Sequence, residues 1–238
     1  MNNKQQIQKL RDNAELAMAS YGYFHLIGKK IKNDEDEYGD KANKPITLHD
    51  ILDITYKNYE TQDSTFFNTE NLKGDFSPLQ AKQFFERYDL LKHYPNTESG
   101  FSATLFQNKE TKEYTLAIRG TEPSDTGDLK TDARMALGYI PQGQHNDMLS
   151  FYNQCKAKYP AMTESKSLNI AGHSLGGALT QMLALSICDD NNEANINEVY
   201  TFNSPGAKNL KPHIALDSKQ IYEVIKDSKN LIANERVA

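Results

Sequence analysis

Gly172-His173-Ser174-Leu175-Gly176-Gly177 constrains the fold more than any other stretch, because its flanks spell a strand before it and a helix after it. Ser167 to Ala171 reads as a short buried strand, and Ala178, Leu179, Met182, Leu183, Leu185 and Ile187 then repeat at the three-and-four spacing of a core-facing helix. Ser174 falls at the turn between them. Such a turn strains the serine backbone, and side chains two residues to either side would collide with neighbouring backbone, so glycine is needed at 172 and 176. The turn also lifts the hydroxyl clear of the sheet and aims the first N–H groups of the helix at the space where a tetrahedral oxyanion would form. A G-x-S-x-G pattern alone arises by chance in roughly one chain of this size in ten to twenty. Its flanks therefore carry much of the signal, and the plainer reading is a glycine-rich turn that only tightens strand-to-helix packing.

With 238 residues and 38% hydrophobic content, the chain can bury one substantial core, and a single domain with a helical extension is the default. A net charge of -5, with lysine and arginine scattered among acidic residues, argues against a nucleic-acid partner. No apolar run approaches a membrane span, and Met1 to Gln6 lacks the apolar stretch of a secretory signal. Synthesis in the cytoplasm is expected, with export that needs no cleaved signal left open. Cys155 and Cys188 lack metal-ligand spacing and read as small packing groups. No pair of histidines has ligand spacing, which argues against a metal-dependent hydrolase; no cofactor is expected. Oligomeric state is not legible.

Residues 1–95 read as a mainly helical N-terminal extension and residues 96–238 as an α/β core. Apolar residues from Ile7 to Ile31 keep helical spacing, with Gly22 and Gly28 as weak points; a second helix is expected from Thr47 to Tyr59. Ser77-Pro78 reads as an N-cap followed by proline at the first helical position, opening a third helix to about His93. The acidic stretch from Asn33 to Lys44 lacks the alternating ligands and glycine of a calcium loop and reads as a solvated connection. After Gly100 the pattern changes. Phe101–Phe106 and Tyr114–Ile118 form a hairpin pattern, followed by helical stretches at Asp128–Leu137 and Asp147–Ala157 and by strands at Val199–Asn203 and Ile221–Ile225. Strands alternating with helices imply a mostly parallel α/β sheet.

Several blocks in order resemble the class 3 lipases, the α/β-hydrolases typified by fungal triacylglycerol lipases and including bacterial phospholipase-A1-type members. They are Phe101 to Leu105, Leu116 to Thr121 ending in Arg119-Gly120-Thr121, the Ser174 elbow with its preceding histidine, and Tyr200 to Gly206. The resemblance runs from about Phe101 to Asp227. It implies an α/β-hydrolase-like fold, Ser174 as nucleophile, Leu175 and Thr121 as oxyanion donors, Asp227 as the triad acid, and His173 as a structural residue rather than the base. It further implies a lipid or other ester substrate, with peripheral membrane contact in keeping with that class. His145 lies where the family often shows a His-x-Gly-Phe block, but Asp147 and Met148 depart from that pattern and leave its role open.

The family order of Ser, Asp, His is where this sequence departs most. Eleven residues, Ser228 to Ala238, follow Asp227, and none is histidine. His213 is the one histidine after Ser174, and it precedes Asp227. Without a base in reach, a serine hydroxyl is a poor nucleophile. A C-terminally incomplete core is the expectation, with a rewired triad through His213 as the competing one. Two functions follow: a serine ester hydrolase working through an acyl-enzyme on Ser174, or an inactive, truncated hydrolase-like protein that binds lipid or a partner without turnover.

Overall fold

The computed structural model describes residues 2–63, 71–120, 139–140, 142–189, 195–204, 206 and 211–212. Helix α1 (Asn3–Ala19) opens on a reciprocal cap, in which the Asn2 side chain accepts from Gln5 N–H and the Gln5 side chain accepts from Asn2 N–H, each at 2.9 Å. A short helix α2 (Glu35–Tyr38) follows, its N–H at Glu37 accepted by Asp34. Ser77 caps helix α3 (Pro78–Arg87) by accepting from Gln80 N–H, as its sequence requires.

Two of the expected helices are cut short. Between Thr47 and Tyr59 only Ile54–Tyr56 is helical, as one 3-10 turn. Asp53 Oδ1 accepts from both the backbone N–H and the hydroxyl of Thr55, while Ile54 N–H donates to Phe76 O and Phe76 N–H to Leu52 O. Side chain and distant backbone thus take the groups a helix would have paired. Helix α3 stops at Arg87 and runs straight into strand β1 (Tyr88–Tyr94), where a helix to His93 is expected. β1 covers the outer edge of strand β2 (Ala103–Asn108), whose backbone would otherwise stand unpaired.

β2 turns through an Asn108-centred loop into strand β3 (Tyr114–Ile118), the predicted hairpin. A two-residue strand β4 (Tyr139–Ile140) pairs in parallel with β7 (Lys211–Pro212). Helix α4 (Gln142–Lys158) starts five residues earlier than its pattern suggests. Strand β5 (Leu168–His173), helix α5 (Leu175–Asp189) and strand β6 (Ile196–Phe202) complete the described chain. The helical stretch expected at Asp128–Leu137 and the strand at Ile221–Ile225 lie outside the described residues.

The main sheet has the order β1-β2-β3-β5-β6. It is mixed rather than mostly parallel: β1 to β2 and β2 to β3 pair antiparallel, β3 to β5 and β5 to β6 parallel. The hairpin accounts for the difference, since a five-residue link reverses the chain and only a longer crossover can return it parallel. Both faces are covered. Alternation along the strands sends Leu105, Leu116, Ile118 and Ile170 to a core shared with Phe151, Leu179 and Leu183, and sends Phe106 and Ala117 to a second core with Leu16, Phe24 and Phe84. α1 lies against β3, β5 and β6, so the N-terminal region packs on the sheet itself. Lys9 Nζ meets Glu198 Oε1 of β6 at 2.7 Å, and Arg87 binds Asp12 and Glu15, tying α3 to α1. Both cysteines are free; Cys155 is fully buried, which pushes its thiol up to about 12.

His93 sits in the second core. Its Nδ1 is hydrogen-bonded to Thr104 Oγ1 at 2.9 Å, and its ring stacks on His25 at 5.8 Å and meets Phe24 edge-on. Burial first, then His25 and Arg119, push it down to about 3 from an ordinary value of 6.5. The folded chain therefore keeps His93 neutral at a pH where the unfolded chain protonates it. The stabilisation is complete above about pH 6.5 and is lost as pH falls toward about 3. Unfolding free energy, measured by denaturant titration, should show a His93 share of the acid slope approaching about 1.4 kcal/mol per pH unit, absent in His93→Asn. Equal slopes in the two proteins would contradict this assignment.

Candidate active site

Ser174 takes φ +55°, a left-handed conformation that costs a non-glycine residue about 1–2 kcal/mol. What holds it there is backbone on either side. Ser174 N–H donates to Phe202 O at the end of β6 at 2.9 Å, and Gly177 N–H donates to Ser174 O at 3.0 Å to open α5. A Cβ on Gly172 would lie 2.3 Å from Gly176 O, and one on Gly176 would lie 2.2 Å from Ile118 O at the end of β3. The two glycines thus let strand, helix and neighbouring strand approach to backbone contact, as the motif predicts. Ser174 itself is half-buried and reaches solvent, whereas Leu175 behind it is buried.

The blocks quoted for the resemblance converge here. Gly120, just past β3, lies against the elbow: a Cβ there would be 2.4 Å from His173 O and 3.2 Å from Ser174 Cβ. Arg119 is buried, gives Nη2 to Asn96 Oδ1 at 2.8 Å and lies 5.7 Å from the Tyr23 ring. From the third block, Ser204 packs on Gly177 and accepts from Gln181 Nε2 at 3.3 Å. Leu175 opens the first turn of α5, where backbone N–H groups have no intrahelical acceptor. Thr121, Asp227 and His213 lie outside the described residues.

Among the described residues, no histidine or carboxylate hydrogen-bonds the Ser174 hydroxyl. His173 is engaged elsewhere, with Nδ1 3.1 Å from the Tyr21 hydroxyl and the two rings edge-to-face at 6.1 Å. His145 stands half-buried on α4, and burial pulls its imidazole below the ordinary range. Asp147, where the sequence departs from the family block, accepts from Thr97 Oγ1 at 2.7 Å and Ser99 Oγ at 2.6 Å and so pins the turn before β2. No group of three or more His, Cys, Asp and Glu among the described residues could hold a metal ion. Sequence reasoning missed Tyr21 altogether: its only signal is an aromatic position in a helical stripe, which does not say that α1 ends beside the elbow.

A model of the Mbeg1-like family matches residues 75–237. An uncharacterized protein of Rickettsia prowazekii is 29% identical over 154 residues, covering 64% of this chain and 41% of its own length. An extracellular phospholipase A1 of Serratia liquefaciens is 38% identical over 88 residues, 37% of this chain and 24% of that protein. The chain therefore spans less than half the length of these curated relatives. Among solved structures, the Lip2 lipase of Yarrowia lipolytica superposes with a TM-score of 0.46 at 17% identity, over 91% of this chain and 69% of that one.

The strained serine makes a prediction about stability. Ser174→Gly should unfold at higher denaturant than Ser174→Ala, by about 1 kcal/mol, because only glycine takes a left-handed φ without a Cβ penalty. Equal stability of the two variants would mean that the turn is unstrained at this position.

Proposed function

The chain belongs to the Mbeg1-like family, which is related to the class 3 lipases, and from that premise we propose that it is a serine carboxylic-ester hydrolase acting on lipid, of lipase or phospholipase A1 type. The observation that carries this reading is the left-handed Ser174 at the junction of β5 and α5, with Gly120 packed against it. In the proposed reaction Ser174 Oγ attacks the ester carbonyl, its proton passes to a base, and the carbonyl oxygen becomes an oxyanion between Leu175 N–H and Thr121. Collapse expels the alcohol as the acyl-enzyme forms, and water then releases the acid. Asp227 is assigned to orient the base and stabilise its charged form.

The Serratia relative's activity supports a phospholipid or related ester as substrate. No helix among the described residues is long and apolar enough to cross a membrane. The reading without turnover draws on one observation: no histidine among the described residues reaches the Ser174 hydroxyl.

A fluorophosphonate probe followed by peptide mapping tests the nucleophile. In the complete protein Ser174 should be labelled and Ser174→Ala left unlabelled, while equal labelling of both would remove Ser174 from the chemistry. His213→Ala should leave the labelling rate unchanged. A loss of ester turnover in His213→Ala approaching that of Ser174→Ala, about four to six orders of magnitude for a lost triad member, would instead make His213 the base of a rewired triad.

A further inference from the structure

The oxyanion donors assigned above sit on two separate pieces of chain, the elbow and the loop after β3. Their spacing decides whether both can reach one oxygen, and among the described residues a side chain of the N-terminal segment reaches both the elbow and Gly120. Tyr21 hydroxyl is hydrogen-bonded to His173 Nδ1 on the elbow at 3.1 Å. The same hydroxyl lies 2.5 Å from the point a Cβ on Gly120 would occupy, a point 2.4 Å from His173 O and 3.2 Å from Ser174 Cβ. Gly120, His173, Ser174 and the Tyr21 oxygen thus crowd one small volume, and a side chain at position 120 would displace the hydroxyl.

Tyr21 is itself held firmly. Its N–H donates to Met18 O and that of Gly22 to Ala19 O, closing the end of α1, which lies across β3, β5 and β6. Two residues on, Tyr23 lies beside Arg119, so the same segment touches the ends of β3 and β5. Resting on the hydrolase reading above, we infer that Tyr21 is a positioning residue that sets the gap between the Ser174 elbow and the Gly120 loop through its bond to His173. It touches neither substrate nor reacting atoms in this role. Its effect belongs to the step in which charge develops on the oxygen, because a donor displaced by a fraction of an ångström binds substrate as before and stabilises the oxyanion less.

The test is the saturation kinetics of fluorophosphonate labelling at Ser174 in the complete protein, for the wild type, Tyr21→Phe and Lys9→Gln. Tyr21→Phe keeps the ring and removes the oxygen. It should lower the maximal labelling rate about 10- to 100-fold with an unchanged half-saturating probe concentration. Lys9→Gln loosens α1 at its ion pair with Glu198, far from the elbow in sequence, and should label at the wild-type rate. In parallel, the His173 imidazole nitrogen resonances should shift in Tyr21→Phe and not in Lys9→Gln.

Wild-type labelling kinetics in Tyr21→Phe would overturn the inference while leaving Ser174 as nucleophile. So would equal slowing in Lys9→Gln, which would reduce the effect to the docking of α1. Unshifted His173 resonances would remove the hydrogen bond itself. A wild-type chain that is not labelled at Ser174 would overturn the hydrolase reading, and the inference with it.

Discussion

Close approach of backbone to backbone at Gly172 and Gly176 is the constraint on which the rest of this structure depends. With side chains at either position, α5 could not start directly from β5, since the added carbons would fall 2.2–2.3 Å from carbonyl oxygens of α5 and β3. The helix would have to move away from the sheet, and with it Leu179 and Leu183, which fill the core against Phe151 and Ile170. Ser174 is left-handed because the chain must turn from strand to helix within one residue. Its strain is sustained by the Phe202 and Gly177 hydrogen bonds and by burial of the helix that follows.

That constraint is local, and so it was legible. The strand, elbow and helix around Ser174, the Phe101–Ile118 hairpin and the Ser77-Pro78 helix start each rest on residues within a few positions of one another. Structure departs from the local pattern where a distant partner decides. Thr47 to Tyr59 has helical spacing, yet Phe76 takes its backbone groups; Tyr88 to Tyr94 extends a helical pattern, yet the open edge of β2 draws it into the sheet. Alternation of strands and helices implies a mostly parallel sheet, but the hairpin makes half of its pairings antiparallel.

The site follows the same division. Ser174 stands at the turn between β5 and α5, and Leu175 opens the helix, the local geometry that the elbow pattern implies. Tyr21 is 152 positions from His173 and carries no motif, so nothing in the pattern of residues 7–31 says that the end of α1 meets the elbow. Asp147 shows the converse. It breaks a family pattern, and its carboxylate accepts hydroxyl bonds from Thr97 and Ser99. An N-terminal region that reads as an extension thus supplies side chains at the strand ends, where the chemistry is assigned.

The most direct test of the central claim is a crystal structure of the chain after reaction with a phosphonate ester, whose tetrahedral phosphorus imitates the acyl-transfer intermediate. The account predicts phosphorus bonded to Ser174 Oγ, with the phosphonyl oxygen within hydrogen-bond distance, about 2.7–3.1 Å, of both Leu175 N–H and a Thr121 donor. An adduct on another residue, or a phosphonyl oxygen turned away from the elbow toward solvent, would contradict it.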